Sequence, residues 1–178
     1  MLMFRQLHAF TRGLFAPAIE PMDSFLMHSR VWPTDLNLGG HMDNVRYLKL
    51  MDIARVGFFT ASGIAAPAGK ARITPVPVVG ATHIRYRRPM HLWQGFTLET
   101  RILCWDEKWL FLEQNLKRGK TSASEALVKC IFLRNDRPVP PGEVLALTGQ
   151  APDTPPSMPS RVRQWLATDQ QPVTDRAA

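Results

Sequence analysis

The stretch that decides the fold is Asp35-Leu36-Asn37-Leu38-Gly39-Gly40-His41-Met42-Asp43-Asn44-Val45-Arg46-Tyr47. Its first half is polar and glycine-containing and reads as a loop. Its second half opens a helix. Tyr47, Leu50, Met51, Ala54, Gly57, Phe58 and Ala61 recur at the i, i+3, i+4, i+7 spacing of one helical face. Val45, Leu48, Ile53, Val56 and Phe59 make the opposite side apolar as well, which predicts a buried helix. Asp43 can cap its start and Gly63 can end it.

Outward from that helix the chain reads as strands. Ser24 to Trp32 precedes the loop. Val76 to Arg88, Phe96 to Trp105, Trp109 to Lys117 and Ser122 to Arg134 follow the helix as long alternating runs. Phe96, Leu98, Thr100, Ile102 and Cys104 are expected on one face. Leu110, Leu112 and Leu116 form a second such set, and Ala126, Val128, Cys130 and Phe132 a third. Asp106-Glu107-Lys108 and Arg118-Gly119-Lys120 read as hairpin turns. One strand, one long apolar helix and four long strands predict an α+β fold, an antiparallel sheet wrapped around a central helix. The other face or an edge of such a sheet is commonly completed by a second subunit. The expected organisation is an apolar and basic segment over 1–22, a body over 23–149, and a Pro-rich polar tail over 150–178. The tail is expected to be disordered or peripheral, apart from a helical turn around Val162 to Leu166.

Composition narrows the function classes. The chain has 178 residues, 45% of them hydrophobic, enough for one core without disulfide or metal staples. No run approaches the roughly 18 apolar residues of a membrane span. Cys104 and Cys130 have no paired spacing, so no metal site is expected, and the compartment is expected to be reducing and cytoplasmic. Lys and Arg total 22 against 15 for Asp and Glu, a net charge of +7 that favours an anionic partner. No nucleic-acid module accompanies that charge, so no nucleic-acid partner is expected. In residues 1–22 an apolar stripe lies beside Arg5 and Arg12. It suits a short helix docked on the body, or a peripheral contact with the inner membrane surface.

The chemistry concentrates in the loop. Asp35, Asn37 and His41 are polar groups feeding the first turn of a helix, where unpaired N–H groups suit a carbonyl oxygen or oxyanion. A histidine or carboxylate beside such donors is what acyl transfer to water requires. The same residues also suit a simple capping loop with local turn bonds and a satisfied histidine. The residues alone leave both readings open.

The quoted stretch resembles the hotdog-fold thioesterase signature D-x-D-x-N-x-H-x-N-N-x-x-Y. The longer runs Val31 to Asp52, Val78 to Ala81, Ile84 to Pro89, Trp105 to Trp109 and Glu125 to Lys129 resemble bacterial hotdog proteins of the thioesterase superfamily member 6 group, related to the 4-hydroxybenzoyl-CoA thioesterase-like proteins. The resemblance covers about residues 25–148. It implies a hotdog domain, assembled as a homodimer or dimer of dimers. It also implies hydrolysis of an acyl thioester, the acyl group carried on coenzyme A or acyl carrier protein, without a further cofactor. Asn37 stands where the signature has a catalytic aspartate, Gly39 replaces its next asparagine, and Asp43 the first of the paired asparagines. His41, Asn44 and Tyr47 match. An amide is no base at neutral pH. The carboxylate then comes from Asp35, or His41 serves as base with Asn37 orienting water, or the protein binds an acyl thioester without fast turnover. Under this resemblance Asp35, Asn37 and His41 are the catalytic candidates. Asp43, Asn44 and Tyr47 are substrate-binding candidates, and Arg85, Arg87 and Arg88 would contact carrier phosphates.

Two further acids invite inspection. Asp52 lies mid-helix with Arg55 three residues on, a spacing for an ion pair. Glu113 shares a strand face with Trp109 and Phe111, where a hydrogen bond to a neighbouring strand or subunit is expected.

Overall fold

The computed structural model describes residues 19–64, 75–150, 152 and 154–169. Most of the 1–22 segment lies outside them. Strand β1 (Phe25–Arg30) leads through a 3-10 turn (Pro33–Asp35) to helix α1 (Asn44–Ala61). The chain then runs through β2 (Val76–Tyr86), β3 (Gly95–Trp105), β4 (Leu110–Arg118), β5 (Thr121–Arg134) and β6 (Arg137–Val139). Helices α2 (Pro141–Ala146) and α3 (Ser160–Asp169) close it. All pairings are antiparallel, in the order β1-β3-β4-β5-β2, with β6 also on β5. The α+β architecture expected from the sequence is present, with α1 against the inner face of the sheet.

The caps of α1 are those the sequence signals. Asp43 Oδ1 accepts Val45 N–H at 2.8 Å. Gly63 follows the helix at φ 71°, a conformation open to glycine at little cost. Leu50, Met51, Ala54 and Phe58 pack with Leu98, Leu112, Val128 and Phe132 in one continuous core. Burial is one-sided, however. Val45, Leu48 and Val56 are exposed, as are Val76, Val78 and Val79 on β2. The apolar pattern all round the helix therefore does not mean burial all round within one chain.

A bulge corrects one predicted face. The β3–β4 register shifts between Ile102 and Cys104. Ile102 stays in the inner core, while Cys104 joins Phe111 and Val162 in a second cluster. An inserted residue reverses the alternation, as the period of two requires. On the outer face, the Trp109 ring lies directly on Gly80, where an added Cβ would come within 2.4 Å of it.

The tail also departs from expectation. Residues 160–169 are a full helix that lies on the outer cluster through Val162, Trp165 and Leu166. Arg161 pairs with Glu113, and Lys129 pairs with Asp169. A helix with one apolar stripe is a natural cover for a sheet face that would otherwise leave Phe111 and Leu103 in water.

Candidate active site

The loop 35–43 folds as a narrow hairpin. Leu36 and Met42 form an antiparallel bridge, with Asn37 N–H on His41 O and Asp43 N–H on Asp35 O, each at 2.9 Å. At its tip Gly39 N–H donates to Asn37 Oδ1 at 2.9 Å, and Gly40 N–H to Asn37 O at 3.1 Å. Gly40 takes φ 75°, and Leu38 is fully exposed. Asn37 Nδ2 and His41 Nδ1 are 3.3 Å apart. Two of the three catalytic candidates, Asn37 and His41, are thus in contact, held by an Asx turn.

Asp35 is placed differently from its neighbours. It is 1% exposed, and its Oδ2 accepts Trp32 N–H at 2.9 Å. That bond braces the 3-10 turn and holds the carboxylate inside.

A second segment completes the site. His41 bridges to His91, Met42 N–H donates to Met90 O at 2.7 Å, and His91 Nδ1 lies 3.4 Å from Gly40 O. This brings a second imidazole beside the loop. Nothing in the sequence marks His91, because it lies fifty residues downstream in an unpatterned turn. The same turn holds Trp93 at φ 61°, edge-on to Trp32 at 5.5 Å. A bulky residue in that region is strained.

The helix end supplies fewer donors than expected. Asp43 N–H is bonded to Asp35 O and Val45 N–H to Asp43 Oδ1, so both amides are engaged within the loop and cap. The Asn44 N–H has no backbone acceptor among the described residues. Asn44 O accepts the Tyr86 hydroxyl at 3.3 Å. Tyr86 stands edge-on to Tyr47, centroids 5.3 Å apart. Burial raises the pKa of both phenols above the ordinary value, so both stay protonated donors. Tyr47 is buried, with its hydroxyl bonded to the backbone of Met90.

The three arginines do not gather at the loop. Ile84 packs on the inner core, whereas His83 meets Trp165 of α3 on the outer face. By alternation Arg85 shares the outer side with His83. Arg87 reaches Glu125 at 2.8 Å, also on that side. Arg88 is exposed past the strand end. The two acids behave structurally. Asp52 pairs with Arg55 at 2.9 Å, and Glu113 bonds Arg101 of the neighbouring strand at 2.8 Å.

The fold agrees with what known proteins show. Residues 31–166 match the family model described as thioesterase-like superfamily, and the chain belongs to that family. It is 37% identical over 132 residues to Protein THEM6 of Danio rerio, covering 70% of this chain and 62% of that protein. It is 44% identical over 84 residues to Protein THEM6 of Xenopus laevis, covering 47% and 40%. The match therefore spans less than two thirds of either relative. Among solved structures, a thioesterase from Thermus thermophilus complexed with coenzyme A and Zn superposes with TM-score 0.60 at 23% identity, covering 73% of this chain and 93% of that one. That likeness bears on the hotdog fold alone.

Proposed function

We propose that this protein binds an acyl thioester, most simply an acyl-CoA, at the 35–47 loop and hydrolyses it slowly to the free acid and the thiol. The observation that carries the reading is the Asn37–His41 contact at the mouth of α1, in a chain of the thioesterase-like family. Asn44 N–H and the His41 ring are the groups offered to the thioester carbonyl. Tyr47 and Tyr86 pack the wall beside them. Buried Asp35 braces the loop. Slow turnover follows from an amide at position 37, because Asp35 is buried and Asp43 is engaged in capping α1. Arg88, between Tyr86 and His91, is the proposed phosphate contact. Arg85 and Arg87 face the other side of the sheet.

A second copy of the chain is the proposed cover for the exposed apolar residues of α1 and β2, making a homodimer. A reducing location such as the cytoplasm is proposed on two buried thiols in separate clusters, the pKa of each pushed up to about 11 by burial. A peripheral membrane contact through residues 1–22 is tested by vesicle co-sedimentation with and without them.

The deciding experiment is steady-state hydrolysis of acyl-CoA esters over a range of chain lengths, with acyl-CoA binding measured in parallel. Hydrolysis that His41→Ala abolishes, without a change in thermal unfolding, supports the reading. Binding without hydrolysis of any ester replaces it with an acyl-thioester binding protein. Neither binding nor hydrolysis removes it.

A further inference from the structure

An amide differs from a carboxylate in a way that settles the tautomer of the histidine beside it. Asn37 Oδ1 accepts Gly39 N–H at 2.9 Å. That bond fixes the amide's orientation, because the opposite one would set Nδ2–H against Gly39 N–H, donor to donor. The atom facing His41 Nδ1 at 3.3 Å is then Nδ2. It can only donate, so His41 Nδ1 has to be the unprotonated nitrogen, and the neutral ring carries its proton on Nε2. Met42 O lies 3.4 Å from the same Nδ1. It could accept only from the opposite tautomer, which would oppose two donors at the shorter contact with Asn37. A Cβ at Gly39 would stand 3.2 Å from both Asn37 Oδ1 and His41 Nε2, so the Nε2 edge lies over the bare backbone of the tip.

We propose that Asn37 is a positioning residue that holds neutral His41 as its Nε2–H tautomer, so that the ring meets a thioester as a hydrogen-bond donor to the carbonyl oxygen instead of a base toward water. The role toward the carbonyl rests on the thioester reading above; the tautomer does not. An aspartate at 37 would act in the opposite sense. It could keep the Gly39 N–H on one oxygen and accept Nδ1–H on the other, leaving Nε2 with a free lone pair. The single exchange of amide for carboxylate thus decides whether the ring gives or takes a proton.

The test is a two-bond 1H–15N correlation spectrum of the full chain labelled with 15N-histidine, at a pH where the ring is neutral. His41→Ala assigns the signal. The expected wild-type pattern is Nε2–H, crossing to Nδ1–H in Asn37→Asp, a nearly isosteric change whose fold is checked by amide dispersion. Asn37→Ala, which removes the donor without adding an acceptor, is expected to give a mixture of the two. An Nδ1–H ring in the wild type, or an unchanged pattern in Asn37→Asp, overturns the proposal. Hydrolysis and acyl-CoA binding are read on the same samples. An Nε2–H ring in a protein that neither binds nor cleaves the ester overturns the carbonyl role together with the thioester reading, while the tautomer assignment stands.

Discussion

Arg55 of α1 donates from Nη1 to Gln114 Oε1 of β4 at 2.6 Å, and both residues are buried. Gln114 Nε2 in turn donates to Met51 O at 2.8 Å and to Thr100 Oγ1 at 3.0 Å. The charge is relieved at the rim, where Arg55 Nη2 meets Asp52, which is mostly exposed. A guanidinium in a core is tolerated only while its donors are satisfied. Gln114→Leu removes the acceptor and keeps most of the volume. It should cost about 2–4 kcal/mol in urea unfolding, because a buried guanidinium donor loses its acceptor. Asp52→Asn, at the wet end, should cost under about 1 kcal/mol. Equal losses for the two would show that the buried link contributes nothing special.

On the proposed function, the amide at position 37 is what limits hydrolysis. Asn37→Asp should raise kcat/KM on the preferred acyl-CoA by about tenfold to a hundredfold, within the range of general base catalysis. The gain should vanish in the double variant with His41→Ala. A rise that survives loss of His41 would mean that the new carboxylate acts on water directly.

Docking of α3 should respond to acid. Burial pushes the Glu113 carboxyl up, but bonds from Arg161 and Arg101 outweigh burial and hold it below the ordinary carboxylate range. The unfolded chain therefore binds this proton more readily than the folded one. The stability it contributes is complete above the unfolded value of about 4.3 and is lost as pH falls through the lower folded value. Glu113→Gln should lower stability at neutral pH and flatten the acid limb of a stability–pH curve. Trp165 fluorescence, reporting α3, should move in the same window. An unchanged acid limb would assign the effect to other carboxylates.

The exposed valines and leucine of α1 and β2 predict association. Leu48→Glu places a charge among the exposed apolar residues of α1 and should shift the protein toward monomer in light scattering after gel filtration. A wild-type protein that is monomeric at high concentration would show that something other than a second copy covers this face.

Asn37→Asp and Leu48→Glu also mark where sequence reading reaches and where it stops. The central helix, its Asp43 cap and the four long strands were legible because each depends on local periodicity and capping chemistry. Asn37 and His41 were legible as polar candidates of one loop, but the hairpin that brings them into contact was not. The reversal of Cys104 was not, because a bulge is one inserted residue whose position depends on the partner strand. The outer-face role of α3 was hidden as well. Its apolar stripe is short, and its value lies in covering Phe111 and Leu103, which come from distant strands. His91 enters the site through a backbone bridge to His41 across fifty residues of chain. Strand alternation by itself sets Arg85 and Arg87 on the face opposite Arg88, but that theirs is the far side of the sheet was not legible. The sequence by itself determined the central helix and the long strands, because local spacing encodes them, and its motif resemblance pointed to the family and to the loop proposed as the site. Which side chains share that loop, and which face each strand residue presents, was decided by strand register and sheet order, which only the tertiary structure contains.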